Sequence, residues 1–92
     1  MCTYATLTTP LTGSGKGPGS EWFHLTHGTV YFDHPVHAMA GHTLNIDFAD
    51  PARGPSARVA VELTAESARA LVAAIEGALA SAPPALLATP GA

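Results

Sequence analysis

Four stretches with strand character precede a single stretch with helical spacing. Thr3 to Leu11 is rich in Thr, with Tyr4 and Leu7, and predicts a first strand. Thr12 to Ser20, TGSGKGPGS, is a glycine-rich connection. Glu21 to Asp33 carries Trp22, Phe23, Val30, Tyr31 and Phe32 and predicts a second strand, with Gly28 marking a bulge or bend. His34 to Gly41 is punctuated by Pro35 and Gly41 and reads as a loop. His42 to Phe48 alternates with period two, Leu44, Ile46 and Phe48 on one parity and Asn45 and Asp47 on the other. After the turn cluster Asp50 to Ser56, Ala57 to Leu63 is a fourth strand with Val59, Val61 and Leu63 on one face. Thr64 then caps a helix, Glu66 sits in its first turn, and Ala68, Leu71, Val72, Ile75, Leu79 and Ala82 form one apolar stripe. Pro83 and Pro84 stop it. Gly77 costs about 1 kcal/mol against Ala inside a helix, which predicts close packing on the sheet there.

Strands followed by one helix predict an α+β fold, a four-stranded antiparallel meander with the helix packed on one face. Residues 1–82 form a single ββββα domain and residues 83–92 a proline-rich tail, with Leu86 and Leu87 frayed or docked on a neighbour. A chain of 92 residues holds one core and is marginal alone, burying about 60–65% of its unfolded surface. A homodimer or small ring, joined through the sheet face left open or through strand edges, is therefore expected.

Composition narrows the function classes. Apolar residues make up 47% and charged residues 12%, which excludes a disordered tail. No apolar run is long enough to span a membrane. The start, MCTYAT, has neither a basic nor an apolar segment of a secretory signal, and the expected location is cytoplasmic. Four Lys and Arg against seven Asp and Glu argue against nucleic acid or anionic lipid as partners. One cysteine excludes an internal disulfide. Cys2 would become an N-terminal amine and thiolate if Met1 were removed, against the blander reading of an inert buried thiol. GSGKG lacks the phosphate-loop pattern, because Gly17 and Pro18 follow Lys16, and reads as a hairpin loop or flap. Trp22, Phe23 and Met39 supply either core packing or the apolar wall of a pocket.

Eighteen alanines and eight prolines fit a high-G+C coding bias, but that bias does not account for five histidines. A hairpin pairing His34 with His42 sets Phe32 opposite Leu44, Val30 opposite Ile46 and Gly28 opposite Phe48 on one face. The other face receives Asp33 with Thr43, Tyr31 with Asn45 and Thr29 with Asp47. A one-residue slip mixes the two sets, whereas even slips keep them apart. Directly paired, His34 and His42 have Cβ atoms about 4.5–5.5 Å apart, and His37 in the loop can fold back over them. Three imidazoles leave a coordination position free for water or substrate, the arrangement of a catalytic metal site. A divalent transition metal is implied, zinc first, with iron, nickel, copper or cobalt compatible. The alternative is that these are surface loop histidines, N–H donors to backbone carbonyls, or a pH-sensitive contact. His24 and His27, three apart on a strand, point to opposite faces, and His24 is the better accessory. Asp33, Tyr31, Asn45 and Asp47 form a polar stripe, read either as a solvated or subunit-facing surface or as a source of acid–base groups, with Asp47 or Asp33 as general base or acceptor behind a ligand and Tyr31 beside them.

MCTYAT, LTGSGKG, YFDHPVHA, HTLNIDF and ARVAVEL together resemble a small family of high-G+C bacteria, a domain of unknown function often lying near natural-product genes. The resemblance covers nearly the whole chain. It implies that Asp33, His34, His37, His42, Asn45 and Asp47 belong to the shared pattern, and His24 and His27 do not. The resulting expectation is a small metal-dependent enzyme of hydrolase, hydratase, lyase or isomerase type acting on a small organic metabolite, with His34, His37 and His42 on the metal. The alternative is a non-catalytic small-ligand or metal-binding oligomeric accessory module.

Overall fold

The computed structural model describes residues 4–88. Strands β1 (Thr6–Lys16), β2 (Trp22–Asp33), β3 (Thr43–Ala49) and β4 (Arg58–Leu63) form one antiparallel sheet in the order β1-β2-β3-β4. Helix α1 (Ala65–Ser81) follows, and one further turn, α2 (Pro84–Leu87), ends the described chain. This is the expected α+β meander.

The β2–β3 register is the one that separates apolar from polar pairs. Phe32 lies opposite Leu44, Val30 opposite Ile46 and Gly28 opposite Phe48, while Asp33 meets Thr43, Tyr31 meets Asn45 and Thr29 meets Asp47. β4 continues both sets, with Leu63, Val61 and Val59 opposite Leu44, Ile46 and Phe48, and Glu62 and Ala60 opposite Asn45 and Asp47. Side chains alternate across a strand, so one in-register row in each strand gives the whole sheet an apolar and a polar face.

Three expectations are corrected. The glycine-rich segment is not a loop: Gly13, Ser14, Gly15 and Lys16 pair with Leu25, His24, Phe23 and Trp22. The long β2 offers unpaired backbone groups along its whole edge, and small residues can occupy an edge strand without clash. The connection shrinks to residues 17–21, closed by Gly17 N–H donating to Glu21 O at 2.9 Å. Gly28 is not a bulge either, since it pairs with both Thr9 and Phe48, and the irregularity lies across the ladder between Pro10 and Gly13. Proline cannot donate to a ladder, so the bulge sits beside Pro10 on an edge strand. A Cβ at Gly28 would instead lie 2.9 Å from Leu11 Cδ1, so the close approach of that side chain favours glycine.

Thr64 caps α1 as expected, its Oγ1 accepting from Ser67 N–H at 3.1 Å. The stripe faces the sheet only in part. α1 touches β3 and β4, but none of its residues is buried, and a Cβ added at Gly77 would meet nothing within 4 Å. The close packing expected at Gly77 is absent, because the helix stands off the sheet. Among the described residues no helix is long and apolar enough to cross a membrane.

Candidate functional site

The polar face supplies a site floor. Tyr31, Asn45 and Glu62 form one row across β2, β3 and β4, and Thr29, Asp47 and Ala60 form the next. Alone this would be a flat surface. It becomes concave because the 34–42 loop folds over it and is caught by one carboxylate. Glu62 Oε2 accepts from Val36 N–H at 2.5 Å, and Oε1 accepts from His37 N–H at 3.0 Å and Ala38 N–H at 2.9 Å. Asp33 secures the entry to the loop, its Oδ1 accepting from His34 N–H at 2.7 Å. Between loop and sheet lies a groove of about 580 Å³, lined by Tyr31, His37, Asn45, Asp47, Arg58 and Glu62 with Val36, Ala38, Ala60 and Val61.

The groove's hydrogen bonding leaves a defined set of groups free. Thr43, fully buried, donates its hydroxyl to Asn45 Oδ1 at 2.6 Å, so the carboxamide of buried Asn45 keeps its NH₂ as a donor. Arg58 reaches diagonally to Asp47 Oδ1, with Nε at 3.1 Å and Nη2 at 2.6 Å, leaving further guanidinium N–H groups at the rim. The Tyr31 side chain shares the groove with Asp47. Burial pushes the Tyr31 phenol up from its ordinary value, the Asp47 charge adds to this, the Arg58 charge opposes it, and Asp33 raises it further. Tyr31 therefore stays protonated at neutral pH. Glu62 moves the other way: the amides of Val36 and Ala38 hold its carboxyl below the usual range against a smaller desolvation effect, with the His37 amide and ring adding to the lowering.

The histidines do not converge as expected. His34 and His42 do come together, ring centroids 4.4 Å apart at 35°. His34 Nδ1 is bonded to Gly41 O at 3.0 Å, and His42 stacks on Phe32 at 5.6 Å and 12° and meets Tyr4 edge-on. His37 lies with the polar groove, among residues of the opposite parity. The cause is the Glu62 carboxylate, which draws residues 36–38 onto the polar side of β4 while His34 and His42 extend the apolar-side pairing. Among the described residues, no group of three or more His, Cys, Asp or Glu side chains is placed to hold a metal ion. His34, His37 and His42 are thus not brought to one point in this structure, and the His34 ring bonds a backbone carbonyl.

Tyr31 and Asp47 line the groove, with Asp33 beside it at the loop entry. Met39 is fully exposed and Trp22 largely so, with Lys16 Nζ 5.8 Å above the Trp22 ring, so neither walls this groove. His24 borders a shallow depression near Phe23, and His27 Nδ1 pairs with Thr26 Oγ1 at 2.8 Å. Met1, Cys2 and Thr3 lie outside the described residues. Two residues absent from the expected set, Arg58 and Glu62, organise the groove. Their signal was the alternation of RVAVEL: if Val59, Val61 and Leu63 share the apolar face, Arg58, Ala60 and Glu62 share the polar one.

Residues 1–88 match the model of a protein family described as a family of unknown function. The chain belongs to that family, DUF6295. No curated protein matches the chain, and no solved structure does. The family assignment agrees with the likeness read from its motifs and carries no activity with it.

Proposed function

We propose that this member of the family is a non-catalytic module that binds a small, acceptor-rich organic molecule, a carboxylate or a polarised carbonyl compound, in the polar-face groove. The observation that carries the reading is the capture of three consecutive loop amides by Glu62, which turns an open sheet face into a concavity. Its volume of about 580 Å³ falls within the range typical of small-molecule sites. Both carboxylates inside are already engaged, Asp47 by Arg58 and Glu62 by the loop. What the groove offers a ligand includes the Asn45 NH₂, the outer Arg58 N–H groups and the His37 ring, beside the apolar Val36, Ala38 and Ala60. The adjacent Asn45 and Arg58 donors favour a ligand rich in oxygen lone pairs, with the His37 ring beside them.

A metal-dependent enzyme would need His34, His37 and His42 at one point, and their placement on two faces counts against it. Amide and Arg Nε–H resonances of ¹⁵N-labelled protein titrated with succinate, pyruvate and benzoate test the proposal. Shifts are expected at residues 36–38 and at Arg58. Losing a charged hydrogen bond costs roughly 1.5–3 kcal/mol, so Arg58→Gln should weaken binding by about ten- to a hundredfold. Perturbations that avoid the groove, or binding indifferent to Arg58→Gln, would refute it. Stoichiometric zinc that shifts all three imidazoles together would restore the enzyme reading.

A further inference from the structure

The opposite face of the sheet is unfinished. Ala57 is the one buried apolar residue among those described, while Leu71, Val72, Ile75 and Leu79 of α1 are 43%, 55%, 51% and 52% exposed. Between α1 and the sheet runs a second groove of about 300 Å³, with Val30, Leu44, Ile46 and Leu63 on the sheet side and Leu71 and Ile75 on the helix side. Its lining is almost wholly apolar.

The surface area shows how much is missing. The chain exposes 6846 Å², whereas a compact monomer of its mass exposes about 5,000 Å². A stable dimer needs about 800 Å² from each partner, and obligate dimers more. The radius of gyration tells the same story, 14.9 Å against about 12 Å for a compact chain of this length.

We infer that the occupant of this face is a second copy of the chain, packed about a two-fold axis that sets the two α1 helices antiparallel. The charges at the rim of the stripe favour a self-partner. Arg69 and Glu76 are exposed, stand two turns apart on the same flank of α1, and make no ion pair within their own chain among the described residues. An antiparallel two-fold placed between Val72 and Ala73 brings Arg69 opposite Glu76 of the second copy, and by symmetry does so twice. The same operation lays Leu71, Val72 and Ile75 of each helix against the stripe of the other. This face is the reverse of the ligand groove, so the inference stands whether or not that groove binds anything.

Sedimentation equilibrium on ligand-free protein from 5 to 200 µM tests it, alongside circular dichroism. A dimer of twice 9.4 kDa is expected. A monomer with native dichroism at 200 µM would overturn the inference, including one stabilised only by lipid vesicles, which would assign the face to a membrane surface. Ile75→Glu should abolish association, with the risk that the chain then fails to fold. Rim charges are safer: Arg69→Glu and Glu76→Arg should each weaken the dimer about tenfold, and the double variant should regain affinity to within about threefold. A dimer indifferent to both single reversals would place the contact elsewhere, such as the sheet edges, and would equally overturn it.

Discussion

Thr43→Val isolates one buried hydrogen bond beneath the polar-face groove. Thr43 is 0% and Asn45 5% exposed, and the bond between them measures 2.6 Å. Valine keeps the branched shape and the strand preference but replaces the hydroxyl with a methyl group. The Asn45 Oδ1 is then left in a buried position without its donor. Orphaning a buried acceptor costs about 1–3 kcal/mol. A domain of this size loses about 4–8 °C of melting temperature per kcal/mol, so a cost near 2 kcal/mol lowers the midpoint by roughly 8–15 °C. The assay is thermal denaturation followed by circular dichroism, with protein concentration held fixed so that self-association of the proposed kind would not shift the midpoint between variants. Asn45→Leu should cost a similar amount by orphaning the Thr43 hydroxyl. The double variant leaves no polar group stranded, so its loss should fall short of the sum by about 1 kcal/mol. A Thr43→Val midpoint within 2 °C of the parent, or strictly additive losses, would refute the claim that this bond is satisfied and needed.

Glu62→Gln should release the 36–38 loop, seen as faster amide hydrogen exchange at Val36, His37 and Ala38 with little change at Tyr31 or Asn45. The loop should also open reversibly in acid. Because the folded Glu62 carboxyl lies below its unfolded value near 4.5, its contribution is complete above that pH and is lost as pH falls through the lower folded value. Amide shifts at 36–38 should track that titration in the parent and be flat in Glu62→Gln. Gly17→Ala would set a Cβ 2.7 Å from Phe23 Cε1. The ring must move, and a destabilisation of about 1–3 kcal/mol by urea titration is expected, whereas alanine at Gly77, with open space around it, should be neutral or stabilising by up to about 1 kcal/mol.

The β2–β3 register was legible because apolar and polar residues alternate without exception from Thr29 to Asp33 and from Thr43 to Asp47, and only one parity keeps them apart. The N-cap at Thr64 and the stop at Pro83 were equally local. The β1 extension was not, because Gly13 and Gly15 have weak strand preference of their own and take strand form from the edge that β2 presents. Tyr31 and Asp47 were found through the polar parity. The placement of His37 apart from His34 and His42 was not legible, for a long-range cause: where a loop folds depends on what captures it, and the captor, Glu62, lies 25 residues beyond His37. The Gly77 expectation failed because a stripe's spacing says which face is apolar and nothing about how closely that face approaches its sheet.

A loop gripped through main-chain N–H groups keeps its course whatever side chains it carries. Residues 36, 37 and 38 can be exchanged so long as none is proline, since the hydrogen bonds to the anchor on β4 all come from backbone amides, and only the His37 ring adds a side-chain charge to them. Shape and lining of the groove are therefore separable, and substitutions at those three positions would retune what it accepts while the scaffold beneath is left alone. A library confined to that tripeptide would be an economical route to new binders on this small frame.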